Sequence, residues 1–133
     1  MVHIFEDNEK HLFEALSNSS DSAYFFASDM KANIAVWSKS AQKYLGLEKE
    51  CIENIREFWE NRIHPDDKEL FHGYFDSVLS SHGNHHDIEY RILTATGKYE
   101  WLHCSSYIYY DEKGNPDHAA GFIRPLGYRN KID

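Results

Sequence analysis

The sequence predicts an α+β domain built on one antiparallel sheet. Residues 87–124 contain three consecutive segments with the alternation and turn signals of antiparallel strands. Two further strand-like segments lie near the N-terminus, and the helical pattern of residues 65–81 separates the two groups. Strands in two groups around a block of helices are typical of this fold class.

Composition indicates one ordinary globular domain. The 133 residues are enough for one real core, with 41% hydrophobic and 27% charged residues. The net charge of −8 disfavours a nucleic-acid partner. No apolar run approaches the roughly 20 residues of a membrane span, so we expect no membrane contact from this segment. Cys51 and Cys104 form no C-x-x-C pair, and we expect a reducing, cytoplasmic location.

The N-terminal third predicts a helix, a hairpin and a second helix. Leu12, Phe13 and Leu16 lie on one stripe of the first helix. Ser38 is an N-cap residue and Gly46 is typical of the position after a helix C-terminus. In chain order, these segments are a helix at 8–17, a polar linker at 17–22, strands at 23–28 and 34–37, and a helix at 39–45.

The middle of the chain predicts helices only. Residues 48–59 favour one or two short helical turns. Pro65 suits a first turn, and Asp66 and Asp67 favour the positive end of a helix dipole. The sequence therefore predicts a long helix from about Pro65 to Ser81. Its apolar stripe predicts these buried residues: Leu70, Phe71, Tyr74, Phe75 and Val78.

The strand at 99–110 has two contrasting faces. The small or aliphatic set fits an inner face and comprises Leu102, Cys104, Ser106 and Ile108. The large set fits an outer face and comprises Tyr99, Trp101, His103, Tyr107 and Tyr109. So aromatic an outer face indicates a cover, and we expect residues 8–17 or a second subunit to provide it. The last strand is expected at Asp117–Arg124.

This element order resembles the PAS domain, including its C-terminal PAC motif, over about residues 20–125. The residues that carry the resemblance are Trp59, Ile63-His64-Pro65-Asp66-Asp67, Glu89-Tyr90-Arg91, Gly97, Tyr99, Trp101, Tyr110-Asp111-Glu112, Gly114, Pro116 and Gly121. The resemblance implies a five-stranded antiparallel sheet with the first and last strands adjacent at its centre. It also implies helices over one face, around a small pocket.

If a small ligand binds, side-chain parity together with facing elements nominates a set of pocket residues. The set is Tyr24, Tyr74, Ile92, Leu102, Cys104 and Ile123. The same residues would equally form a filled core, and the sequence favours the filled core.

The resemblance brings haem and flavin sensors into consideration, and the sequence favours neither cofactor. Relatives that form a flavin photoadduct place a cysteine near the position of Asn54–Phe58, where this chain has none, and Cys51 lies too early. Haem-binding relatives use a histidine on the long helix, and His72 is offset from that position. No metal site is expected, since the adjacent His85 and His86 would point to opposite faces of a strand.

The resemblance and the tail together suggest a bacterial signalling protein. We expect an N-terminal helix and linker at 1–19, the PAS domain at 20–125 and the start of a linker at 126–133. The tail resembles junctions that precede a diguanylate cyclase (GGDEF) domain, although a kinase is also possible. The expectation is a homodimeric sensory module, without catalytic residues, that regulates this output domain in cis and has a possible small-molecule ligand.

Two alternatives of other classes remain. One is a small enzyme on a curved α+β sheet, similar to nuclear-transport-factor-like isomerases. It would need an acid or base inside the pocket, such as Asp87 or His103, but parity places His103 outside. The other is a protein–protein interaction module without a ligand.

Overall fold

The structure, a computed structural model, describes residues 6–20 and 22–127. The helices are α1 (Asp7–Ser19), α2 (Lys39–Leu45), α3 (Ile55–Glu60) and α4 (Lys68–Ser80), with a single 3₁₀ turn at Pro65–Asp67 before α4. The strands are β1 (Phe25–Asp29), β2 (Ile34–Trp37), β3 (Cys51–Glu53), β4 (His85–Leu93), β5 (Tyr99–Tyr110) and β6 (Pro116–Gly127). The predicted α+β class is confirmed. No helix in the described part of the chain is long and apolar enough to cross a membrane.

The strands form one antiparallel sheet in the order β3-β2-β1-β6-β5-β4. The first and last strands therefore pair at its centre, as the resemblance implied, with Phe26 opposite Gly121. The close approach of β5 and β6 requires glycine at this position. A Cβ on Gly121 would lie 2.2 Å from the carbonyl oxygen of Ser105.

Within the described residues the sheet has six strands, one more than the five that the resemblance implied. Residues 51–53 pair with β2 as the edge strand β3, where the sequence favoured helical turns. A segment of only three residues shows too short an alternation to predict a strand, so pairing with β2 decides its conformation. The last strand is also longer than predicted and runs to Gly127. Residues 128–133, which carry most of the expected linker, lie outside the described residues.

Local capping explains why α2 matches its prediction. The hydroxyl oxygen of Ser38 accepts hydrogen bonds from the backbone N–H groups of Phe25 and Ala41, at 3.1 and 3.4 Å. Gly46 follows the helix with a left-handed φ of 71°, which glycine adopts without strain. These two signals are local to the chain, so the sequence alone could define both ends of this helix.

Helix α1 lies on the outer face of the sheet, over β1 and β2. Phe13 packs edge-on against Phe25 at 5.1 Å, in a small cluster with Ala27. Ser17 is buried and accepts a hydrogen bond from the N–H of Lys39, so α1 continues through residues predicted to be linker. The helix therefore covers the outer face at β1 and β2, and not the aromatic residues of β5 that it was expected to cover. Tyr107 and Tyr109 stay about half-exposed.

Helix α4 packs on the inner face, and its predicted burial was partly wrong. Phe71, Tyr74, Phe75 and Val78 are only half-buried, and Leu70 is 58% exposed. Leu70 lies at the edge of the apolar stripe, where the helix turns it towards solvent. The half-buried residues include Phe71 and Phe75, which face a cavity instead of a filled core.

Candidate ligand site

A cavity of about 540 Å³ lies between the concave inner face of the sheet and helices α3 and α4. Its walls are mostly apolar and aromatic, with Phe26, Trp37 and Trp59 on one side and Phe71 and Phe75 on the other. A volume of several hundred Å³ with apolar walls and few polar groups is typical of small-molecule sites. The structure therefore has a cavity beside its buried core, whereas the sequence favoured a filled core.

The structure places two of the six nominated pocket residues in the cavity wall, Cys104 and Ile123. Ile92 and Leu102 are fully buried in the core cluster, outside the wall. Parity assigned them to the inner face, but the cavity occupies only part of that face.

The two nominated tyrosines also lie outside the wall. Tyr24 packs against Tyr44 at 5.4 Å between ring centroids. Tyr74 accepts a hydrogen bond from the N–H of Asp87 through its hydroxyl oxygen, at 2.9 Å. Both rings therefore support the frame around the cavity.

His86 is the polar residue of the wall that the sequence interpretation missed. In the sequence it was considered only with His85, as a pair unsuited to a metal site, but His86 is buried and only 4% exposed. Its ring lies among Tyr74 and Phe75, each at 5.2 Å between centroids, and Phe71 at 5.8 Å. Burial lowers the pKa of His86 to about 4, so the imidazole is neutral at pH 7.

The alternation of β4 was the signal that could have found His86. His86 shares parity with Tyr90 and Ile92, both of which are fully buried. The prediction that His85 and His86 point to opposite faces is confirmed, since His85 is exposed and stacks on Tyr107 at 4.7 Å.

Two buried side-chain nitrogens of the described residues have no hydrogen-bond partner, Nε1 of Trp37 and Nε2 of His86. Both residues line the cavity. An unpaired buried polar group costs about 1–3 kcal/mol of stability, so such groups require an explanation. A ligand with suitable polar atoms would remove this cost.

Two other polar groups of the wall pair with each other. Nε1 of Trp59 donates a 2.7 Å hydrogen bond to the hydroxyl oxygen of Tyr90. Burial raises the pKa of Tyr90 well above its ordinary value and that of Cys104 to about 12. The titratable groups of the inner wall, including His86, are therefore uncharged at pH 7.

Charged residues are confined to the rim of the cavity. Nε2 of His72 lies 3.4 Å from a carboxylate oxygen of Glu60, which joins α4 to α3. Arg56 donates a hydrogen bond to the carbonyl oxygen of Met30 at 2.9 Å. From the offset of His72 along the helix, we expected its side chain to point away from the pocket. The structure instead places it at the rim of the cavity, half-exposed and beside Glu60.

The acid–base candidates of the isomerase alternative lie on the opposite side of the sheet. Asp87 is exposed and accepts a hydrogen bond from Nε2 of His103, which lowers the pKa of this carboxylate. Arg124 completes the cluster, with its guanidinium 3.2 Å from Nδ1 of His103. Parity placed His103 correctly, and neither Asp87 nor His103 reaches the cavity.

Comparison with known proteins identifies the family. A family model described as the PAS fold matches residues 34–123, which is more than half of the chain. The chain therefore belongs to the PAS family. No curated protein matches the sequence.

Solved structures show the same fold. A sensory box histidine kinase/response regulator from Burkholderia thailandensis E264 is 22% identical, with a TM-score of 0.70 and coverage of 85% of this chain and 83% of that chain. The N-terminal domain of a diguanylate cyclase with PAS/PAC sensor from Marinobacter aquaeolei is 19% identical. Its TM-score is 0.66, and the match covers 79% of this chain and 95% of that chain. A PAS domain from Colwellia psychrerythraea is 18% identical. Its TM-score is 0.66, and the match covers 92% of this chain and 97% of that chain. Identities this low establish the fold alone.

Proposed function

We propose that this chain is the sensory and dimerisation domain of a bacterial signalling protein, and that it regulates a C-terminal output domain from the cytoplasm. In this proposal the sensory domain, expected at residues 20–125, extends to the end of β6 at Gly127, and the linker follows it. The observation that carries this proposal is the cavity, because its wall includes residues of the last strand. A change in the cavity can therefore reach the segment that leads towards the C-terminus.

Strand β6 connects the cavity to the C-terminal segment. Ala119 and Ile123 line the cavity, and β6 continues to Gly127. β6 also lies between β1 and β5 at the centre of the sheet. A ligand that shifts the inner residues of β6 would tilt this strand between its two neighbours. Coupling of this kind requires two states with different ligand affinity, typically separated by about 1–3 kcal/mol.

A diguanylate cyclase is the output domain that we propose. The resemblance of the tail to junctions that precede such domains supports it, and the Marinobacter aquaeolei relative is named as a diguanylate cyclase with a PAS/PAC sensor. The Burkholderia thailandensis relative is named as a histidine kinase/response regulator, so a kinase is the second candidate. In either case this chain supplies regulation and the output domain supplies catalysis.

The test is a flexible insertion between this domain and its output domain. Because β6 runs to Gly127, a short Gly-Ser insertion belongs after Gly127 and not after Arg124, where it would interrupt the strand. Ser28→Phe, which adds volume to the cavity wall, serves as an artificial input. We expect Ser28→Phe to change output activity in the uninterrupted full-length protein and to have no effect once the insertion is present.

The same insertion in the exposed turn at Gly97 is the matched control, and it should leave the response intact. If Ser28→Phe changes output equally with and without the insertion after Gly127, β6 is not the transmission route. If output in the uninterrupted protein does not respond to Ser28→Phe at all, the cavity is not the input site.

The proposed partner is a second copy of this chain, bound through the outer face. Leu12 and Leu16 of α1 are exposed, and so is Phe122 of β6. Phe122 contacts Phe25 at 6.2 Å, and Phe25 contacts Phe13 of α1, so the exposed residues adjoin one small apolar cluster. Exposed apolar patches of this kind are typical of protein–protein contacts. This face also supports the second candidate function, a protein interaction module that needs no ligand.

A further inference from the structure

The chemistry of the cavity wall indicates what class of molecule would fill it. A cavity of about 150 Å³ already accommodates benzene. The volume of about 540 Å³ in this protein is more than three times larger and has room for a molecule of several rings. Trp37 and Trp59 stack at 5.2 Å and Phe71 and Phe75 at 6.0 Å, so the walls offer flat apolar surfaces.

We propose that the cavity binds an uncharged polycyclic aromatic molecule whose hydroxyl group forms a hydrogen bond with Nε2 of His86. This inference rests on the proposed function of the cavity as the sensory site. Nε2 of His86 is buried, almost inaccessible and without a partner, while other atoms of its side chain line the cavity. A rotation of the ring towards the cavity would let the ligand form a hydrogen bond with this nitrogen.

A hydroxyl group suits His86 in either tautomer. A neutral imidazole nitrogen is a donor in one tautomer and an acceptor in the other, and a hydroxyl group can both donate and accept. A carbonyl group would serve only if Nε2 carries the proton. The hydroxyl is thus the group that pairs with His86 without further conditions.

The inner wall disfavours a charged ligand. His86, Tyr90 and Cys104 are all neutral at pH 7, since burial disfavours the charged form of each side chain. The rim cation Arg56 already donates to the carbonyl oxygen of Met30. A buried carboxylate or ammonium would have no opposite charge in the described inner wall, and burial without one is costly.

Trp37 provides a second unpaired group in the wall. It lies on β2, whereas His86 lies on β4, with β1, β6 and β5 between the two strands. Nε1 of Trp37 can only donate, so a ligand that pairs with both residues would also carry an acceptor oxygen.

The experiment compares three probes of one shape: 2-naphthol, naphthalene and 2-naphthoate. Binding to the ¹⁵N-labelled chain at pH 7 is followed by two-dimensional NMR, which also reports the Trp37 indole and His86 imidazole signals. We expect 2-naphthol to bind about tenfold more tightly than naphthalene, the gain of one net hydrogen bond. We expect 2-naphthoate to bind at least tenfold more weakly than 2-naphthol, and 2-naphthol to shift the His86 Nε2 signal.

His86→Phe is the decisive variant, because it keeps a ring of similar size and removes the nitrogen. It should bind 2-naphthol and naphthalene equally. His85→Phe makes the same change one residue away, on the outer face, and should keep the tenfold preference. The His86 signal of the unmodified chain tests the inference even if His86→Phe does not fold.

Three results would overturn the inference. They are equal binding of 2-naphthol and naphthalene by the unmodified chain, binding of 2-naphthoate as tight as that of 2-naphthol, and binding of none of the probes. Equal binding refutes the ligand class but leaves the cavity as a site. The proposed sensory function fails separately, in the insertion experiment with Ser28→Phe, which uses no probe.

Discussion

The two faces of the sheet use the same strands for different purposes, and His85 and His86 show the difference. These neighbours on β4 carry the same side chain. His85 lies on the outer face, exposed, with Nε2 3.1 Å from the hydroxyl oxygen of Ser105. His86 lies on the inner face, buried among aromatic rings, with Nε2 unpaired. The His85 ring is exposed to solvent and lies beside a polar side chain, whereas aromatic side chains and the apolar cavity surround the His86 ring.

The comparison extends along β5. Its inner residues, which include Leu102 and Ile108, are almost completely buried, whereas Tyr107 and Tyr109 on the outer face are about half-exposed. The inner face therefore contains the core and the cavity, and the outer face carries polar clusters and exposed aromatic side chains. Substitutions at adjacent positions of one strand can test whether the two faces have these separate roles.

The largest difference is expected from truncation of neighbouring residues on β5. Ile108 is 1% exposed, so Ile108→Ala should lower the free energy of unfolding by about 2–5 kcal/mol through lost apolar contact and a larger cavity. Tyr107→Ala, one residue away on the outer face, should lower it by about 1 kcal/mol or less. Urea unfolding measures both values.

Ile108→Ala and Tyr107→Ala must also leave the urea m-value unchanged for this comparison to hold. Equal costs would mean that an unseen partner covers the outer face, or that the inner face relaxes to fill the space. Either result would contradict the proposal that the inner face, and not the outer face, determines stability.

The next difference concerns acid. The pKa of His86 in the folded chain is about 4, below its ordinary value of 6.5, mainly because the ring is buried. The charge of Asp87 opposes this shift, and the smaller effect of His85 adds to it. Between these two pH values the unfolded chain binds more protons than the folded chain, so stability falls as the pH falls. His86 should account for about 3 kcal/mol of that loss.

His86→Phe should therefore lose less stability than the parent between pH 6.5 and 4, and His85→Phe should behave like the parent. Urea unfolding at several pH values gives the three curves. Parallel curves for His86→Phe and the parent would show that the His86 ring is hydrated, and would contradict its place in a dry cavity wall. His72 and Asp76 line the same cavity and are unchanged in all three proteins, so they form a shared background.

The smallest effect on folding, and the clearest effect on association, is expected at α1. Leu12 and Leu16 are 62% and 52% exposed, so replacing both with glutamate should change stability by less than about 1 kcal/mol. If a second copy binds here, the double variant should be monomeric by analytical ultracentrifugation where the parent is dimeric. Glu9→Gln with Glu14→Gln, on the same helix, is the matched control and should leave the mass unchanged.

A parent that is monomeric at all concentrations, or a double variant that stays dimeric, would show that the exposed leucines of α1 are not the contact between copies. In the second case the outer aromatic surface at Tyr107, Tyr109 and Phe122 becomes the next candidate.

Local signals in the sequence determined much of the fold. The cap at Ser38 and the glycine at Gly46 define α2, and the alternation in β5 assigns each side chain to its correct face. Such signals depend only on neighbouring residues and on the two-residue period of a strand. The family pattern supplied the adjacency of β1 and β6, which periodicity cannot provide.

Only the tertiary structure decided which inner residues line a cavity. Ile92 of β4 and Ile123 of β6 both lie on the inner face and have the same side chain. Ile92 is buried in the core, whereas Ile123 lines the cavity. That outcome depends on how far α3 and α4 stand from the sheet, which no local pattern records. For the same reason the sequence could place His86 on the inner face but could not reveal its unpaired nitrogen, since pairing is a property of all the elements that surround a side chain.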